Sequence, residues 1–201
     1  MSWPVEELTY DVSTQLAGLE PLKNAEFSAS CAERLMPLYQ KFCVEQHWDH
    51  ELQLREALSH AWNALREPSG VDHLEGAISR LEALVPHADD FDSPLITAAQ
   101  DCAICTDLAV RWLLGRQALP SASPQYALEG IASAEAARRT GILSFGSTPD
   151  DEVAEKEILG LPAVQNELAY QRQDIETLLA TREIADVAEE MCLRARGNAH
   201  R

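Results

Sequence analysis

The amino-acid sequence predicts an all-α, single-domain bundle of about seven helices closed by a long C-terminal helix. Three observations carry this. Apolar residues recur at helical spacing through most of the 201 residues. Alternating β-branched or aromatic runs are absent, as are Asn-Gly and Asp-Gly hairpin turns. No period of about 20 to 50 residues recurs, which argues against a repeat architecture. The length suits one domain with a substantial core, so residues 1–201 are read as a single unit. Within it, 1–20 is a variable N-terminal segment and 197–201 a tail.

A first helical piece spans about 4–17, followed by a loop at "GLEPLKN". Segment 24–46 carries Phe27, Cys31, Leu35, Leu38, Phe42 and Cys43 at helical spacings. Pro37 interrupts it, predicting a kink or two helices meeting near Met36. Segment 50–66 shows Leu52, Leu54, Leu58, Trp62 and Leu65 and stops at "EPSG". Segment 72–85 shows Leu74, Ile78, Leu81 and Leu84 and ends at Pro86. The helix from about 93 to 115 is apolar except for a stripe of Thr97, Gln100, Asp107 and Arg111, which suits the centre of a bundle. "PSASP" is a linker, 125–140 an Ala-rich helix ending at Gly141, and "GILSFGSTPDD" a long loop. The last region, 150–196, is divided by Gly160 and Pro162.

From Val164 to Arg196 a continuous helix would be about 50 Å long, against a domain diameter of about 43 Å. Its apolar positions change sides. Val164, Leu168, Ile175, Leu178 and Leu179 share one face, while Ile184, Val187, Ala188 and Met191 lie roughly opposite. No Pro or Gly stands near 180–182, so continuity is expected. The second stripe would then be covered by the N-terminal segment or by a second copy, and a homodimer through this helix is the expected cover.

Asp and Glu outnumber Lys and Arg 33 to 16, for a net charge of −17 and a pI near 4.6. Phosphate backbones and anionic lipid repel such a chain, so neither nucleic acid nor membrane is expected as a partner. An acidic face for a basic partner protein is the sharper implication. "MSWPVEELTY" has neither the basic nor the apolar region of a secretory signal. The five cysteines are odd in number and are expected as reduced thiols in a cytoplasmic protein. Cys102 and Cys105 fall inside a helix with no second pair to complete a zinc site, and read as core residues.

"HADDFDSP" at 87–94 is the stretch nearest to a functional motif. Asp92 fits a helix N-cap, Pro94 the first turn, and Phe91 with Ile96 a hydrophobic staple. Three aspartates also suit a divalent cation, although calcium-loop spacing is missing. Asp101, on the flank of an apolar face, is expected to pair with Arg34 or Arg111. His47, His50 and His60 form no H-E-x-x-H pattern, and no phosphate-binding glycine loop or nucleophile elbow occurs. No catalytic residue, metal ligand or cofactor is therefore assigned.

"CAERLMPLYQKFC", "ADDFDSPLITAAQDC" and "LPAVQNELAYQRQ" resemble segments of the YjaG-like family of uncharacterised bacterial proteins. The matching positions include Glu33, Arg34, Pro37, Tyr39, Asp89 to Asp92, Asp101, Pro162 to Val164 and Glu167, across roughly residues 20 to 190. The resemblance implies a small, helical, cytoplasmic protein and no particular activity. Glu33, Arg34, Tyr39, Asp89, Asp90 and Asp101 are the candidate binding residues. The functional expectation is a non-enzymatic protein-binding module, an adaptor or an immunity-type protein. The alternative is a divalent-metal-dependent hydrolase in which Glu33, Asp89, Asp90 and Asp101 converge on the ion.

Overall fold

In a computed structural model of the chain, the described residues are 4–67, 74, 76, 78–116, 122–140 and 156–199. They form helices α1 (Pro4–Ala17), α2 (Pro21–Gln46), α3 (Glu51–Arg66), α4 (Ile78–Glu82), α5 (Ile96–Leu113), α6 (Ala122–Thr140), α7 (Pro162–Ala180) and α8 (Ala188–Asn198). No strand occurs among these residues. The all-α reading stands. The "GILSFGSTPDD" loop lies outside the described residues.

The axis of the bundle is α2, against which α3, α5, α6, α7 and α8 all pack. From Asn24 to Met36 every residue is buried, so this helix has no solvent face along three turns. Apolarity alone pointed to α5 as the centre. α5 is indeed buried along most of its length, and its small residues Ala98, Ala99, Cys102 and Ala103 let it lie close to α2. Cys102 Sγ reaches the Ala32 carbonyl at 3.5 Å. At Gly130 of α6 an added Cβ would lie 3.0 Å from Leu35 Cδ2 and 3.2 Å from Ala98 Cα, so a missing side chain sets that approach.

Several boundaries differ from expectation for identifiable reasons. α2 begins at Pro21, inside the expected loop, because proline's missing N–H is harmless in a first turn. It continues through Pro37 as one helix. The donor that proline removes is one bond in a helix packed on five neighbours, and tertiary packing outweighs it. It stops at His47, which adopts φ 53° and donates its N–H to the Cys43 carbonyl. α5 starts at Ile96, so Asp92 is not its cap. Asp92 is exposed, and buried Ser93 instead accepts the Leu95 N–H at 3.2 Å. Phe91 meets Phe42 and Trp48 edge-on, at centroid distances of 5.1 and 5.3 Å. α6 begins at Ala122, within the expected "PSASP" linker.

The C-terminal region is not one helix. α7 ends at Ala180, Thr181 is extended, and a 3₁₀ turn at Ile184–Asp186 precedes α8. Lys23 Nζ donates to the Thr181 carbonyl at 2.7 Å, satisfying an acceptor freed at the break. The turn lets the second apolar stripe fold back. Ile184, Ala188, Met191 and Cys192 are buried, and α8 packs on α2 and α3. Burying Ile and Met is worth about 1.5–3 kcal/mol each, enough to break a helix without Pro or Gly. The stripe is thus covered within the chain and gives no reason for a second copy.

Candidate functional site

Two neighbouring residues of α2, Glu33 and Arg34, point to different helices and anchor two ionic hubs. Arg34 is 3% exposed and forms a two-pronged pair with Glu167 of α7, Nε at 2.8 Å and Nη2 at 2.9 Å. Its Nη1 donates to Asp174 and to Ser30, each at 2.7 Å. Ser30 in turn donates to Asp174 at 2.7 Å. Arg194 of α8 reaches the other Asp174 oxygen at 2.9 Å. Gln171 Nε2 donates to Glu167 and to the Pro124 carbonyl. Two arginines thus face two carboxylates, with nearly every donor engaged. A planar guanidinium suits such a buried, bidentate role.

Glu33 collects a different set. Its Oε1 accepts from Arg55 Nη1 of α3 at 2.6 Å and from Arg196 Nε of α8 at 3.0 Å, and its Oε2 accepts from Trp62 Nε1 at 3.1 Å. The Glu33 side chain is 1% exposed, whereas those of Arg55 and Arg196 are 29% and 46% exposed. The hub therefore ties α2 to α3 and α8 and opens outward on its arginine side.

Two further acids are buried without a cation. Glu26 is fully buried beside the Arg34 hub, and neither of its oxygens has a hydrogen-bond partner among the described residues. Burial, and next the Asp174 charge, push it up to about 8, so it is mainly a neutral acid near pH 7. Asp101 pairs with neither expected arginine: Arg34 holds Glu167 and Asp174, and Arg111 holds Asp107 and Glu82. Burial, and then the nearby Glu129 charge, push the Asp101 carboxyl well above the usual range. Its Oδ2 lies close to α6 at Gly130, 3.2 Å from where a Cβ there would stand.

The remaining candidates lie elsewhere. Tyr39 is buried and donates to the Leu84 carbonyl at 3.0 Å, while Trp48 Nε1 donates to its hydroxyl. Burial raises its pKa, and its role is to tie α2 to the segment after α4. Asp89 and Asp90 are exposed on a 3₁₀ turn. Phe91 pins that turn to Phe42 and Trp48, which brings Asp89, Asp90 and Asp92 beside the end of α2, where Glu45 and Asp49 are exposed. Val44 and Leu52 nearby in sequence are 70% and 79% exposed. Glu33, Asp89, Asp90 and Asp101 do not form a common cluster. Among the described residues no group of three or more His, Cys, Asp or Glu is placed to hold a metal ion.

The Asp174 and Gln171 partners were not anticipated from sequence. A signal existed: Glu167, Gln171 and Asp174 fall in register with the buried Val164, Leu168, Ile175 and Leu178. Polar groups on a buried stripe need partners. The cations offered a second hint, since the chain has thirteen Arg and only three Lys.

The protein is therefore of a class defined by architecture: a helical domain whose central helix is held by buried ion pairs, with no helix among the described residues long and apolar enough to cross a membrane. It belongs to the family described as "Protein of unknown function (DUF416)", whose pattern matches residues 11–196. Similar proteins include the "Uncharacterized protein YjaG" of Escherichia coli K12, 26% identical over 184 residues that span 92% of this chain and 89% of that one. The Salmonella typhimurium LT2 protein of the same description is 24% identical over the same shares. A solved structure of a DUF416 family protein from Shewanella baltica OS155 superposes with a TM-score of 0.70 at 19% identity, covering 91% of this chain and 92% of that one. That likeness speaks to the fold alone.

Proposed function

We propose that the chain is a cytoplasmic, non-enzymatic protein-binding module, an adaptor or immunity-type protein, that offers an acidic face to a basic partner. The observation that supports this is the joining of two acidic stretches distant in sequence. Phe91 packs on Phe42 and Trp48, which brings the turn that carries exposed Asp89, Asp90 and Asp92 to the end of α2, where Glu45 and Asp49 are exposed. Exposed Val44 and Leu52 add apolar contact of the kind a basic amphipathic segment would use. Charge complementarity of this sort speeds association and sets specificity. Five buried, free cysteines suit a reducing compartment.

The experiment is binding of a Lys-rich amphipathic peptide, followed by titration calorimetry across a salt series. Wild-type protein should bind with an affinity that falls steeply as salt rises. Asp49→Lys combined with Asp89→Lys and Asp90→Lys should abolish it, whereas Glu7→Lys with Asp11→Lys on α1 should not. Equal loss in both variants would leave only bulk charge at work, and the proposed face would be wrong.

A further inference from the structure

Beside the Glu33 hub lies an open cavity of about 310 Å³, lined by Glu33, Pro37, Gln40, Arg55, Arg196 and Ala199. Its charge is out of step with the rest of the molecule. Around Arg34 two arginines meet two carboxylates, and Arg66, Arg111 and Arg138 each have a carboxylate of their own. Here two arginines share one oxygen of a single carboxylate. Both oxygens of Glu33 are engaged, Oε1 by these two and Oε2 by Trp62. Among the described residues Arg55 donates through one Nη1 contact and Arg196 through one Nε contact, so most of their ten N–H donors remain for another acceptor. Two further carboxylates lie outside the lining: Glu51 accepts from Gln40 at 3.0 Å, and Glu189 pairs with Arg66 at 2.7 Å.

A net positive cavity is unexpected in a chain of net charge −17. Stability does not call for it. One arginine would neutralise Glu33, and the second adds like-charge repulsion at a common oxygen. An oxyanion between the two guanidiniums would remove that repulsion and engage the free donors. We propose that the cavity binds a small oxyanion, the carboxylate or phosphate group of a metabolite-sized ligand, held between Arg55 and Arg196. Glu33 orients both guanidiniums, Pro37 and Ala199 add apolar wall, and the volume suits a metabolite-sized ligand. This site is separate from the acidic face and does not depend on it.

The test uses the full chain with succinate and inorganic phosphate as probes, each titrated up to about 10 mM, a range that reveals millimolar binding. Ionic strength is held constant with sodium chloride, because screening alone stabilises so acidic a protein. Calorimetry and thermal melts should show saturable binding of one or both probes, and the one that binds identifies the head group. Arg196→Gln, at a half-exposed position, should stay folded by circular dichroism and weaken binding by about tenfold or more. Arg138→Gln, a paired surface arginine on α6, should bind as wild type does. Arg55→Gln provides the second reading should Arg196→Gln lose its helical signal. The proposal is overturned by the absence of saturable binding to either anion, or by unchanged affinity in a folded Arg196→Gln or Arg55→Gln protein.

Discussion

Replacing Arg34 with Met keeps the length of the side chain and much of its apolar stem while removing the guanidinium. Two carboxylates lose a partner, unequally. Asp174 keeps Arg194 at 2.9 Å and Ser30 at 2.7 Å. Glu167, 3% exposed, keeps only the Gln171 amide at 3.0 Å and becomes a buried charge without a cation. Removing one partner of a buried ion pair costs about 3–5 kcal/mol, and most of it should fall on Glu167. Domains have about 5–15 kcal/mol in all, so the variant should be close to the edge of folding. For a chain of this size 1 kcal/mol moves the melting temperature by about 2–4 °C, and the expected fall is therefore about 6–20 °C. Urea unfolding followed by circular dichroism measures the loss directly. Adding Glu167→Leu should recover part of it, since the uncompensated charge is then gone. A loss below about 1 kcal/mol, or a double variant no more stable than the single one, would refute the view that these charges are held by each other.

Four further outcomes follow from the same structure. The pKa of Glu26 rises from 4.5 to about 8 on folding, so the folded state binds more protons between those values. Its contribution is complete below pH 4.5 and declines as pH rises through about 8. Relative to wild type, Glu26→Gln should thus gain about 1 kcal/mol or more in urea melts between pH 5 and pH 8.5; a difference flat with pH would be inconsistent with burial as the cause. Gly130→Ala should lose about 1–3 kcal/mol, because its Cβ would press on Leu35, Ala98 and Asp101. Gly197→Ala in α8 meets nothing within 4 Å and should gain a few tenths to about 1 kcal/mol in thermal melts, as Ala does over Gly in a helix. All five cysteines are buried and free, so a thiol reagent should react slowly with native protein and reach five equivalents only in denaturant. Fast reaction of Cys102 or Cys105 would contradict the packing of α5 on α2.

The helices were legible because helical spacing of apolar residues depends on one face being buried, and α3, α5 and α7 each have one. The break at Thr181 was not. Continuity is the local preference where no Pro or Gly intervenes, and it yields only to long-range burial of Ile184, Ala188 and Met191 against α2 and α3. The N-terminus of α5 was misplaced for a related reason. Asp92 has the right chemistry for a cap, but Phe91 is drawn to Phe42 and Trp48, and the helix starts four residues later. In the candidate site, Glu33 and Arg34 were singled out from the sequence, yet Asp101, expected to meet Arg34 or Arg111, is buried without either. Which carboxylate an arginine meets is decided by the rotation of α7 about its axis, and spacing within α2 carries no information on that.

The placement of the arginines also bears on the outer surface. Arg34, Arg55, Arg194 and Arg196 are turned toward Glu33, Glu167 and Asp174. Arg194 also meets Glu190, so four cations stand against four anions in these hubs and the net charge of −17 is carried by the rest of the chain. Lysines, which would ordinarily dilute a surface like this, are only three. Charges at the surface repel one another weakly through water and salt, at about 1 kcal/mol or less per pair, while the buried hubs fix the relative rotation of α2, α3, α7 and α8. The same arginines therefore specify how the helices pack and leave the exterior acidic. A substitution that loosens a hub should separate the two properties: exposing Arg34 or Arg194 to solvent would lower stability but weaken the field around Asp49, Asp89 and Asp90 only slightly, because the Debye length of about 8 Å at physiological salt confines each charge to its own neighbourhood.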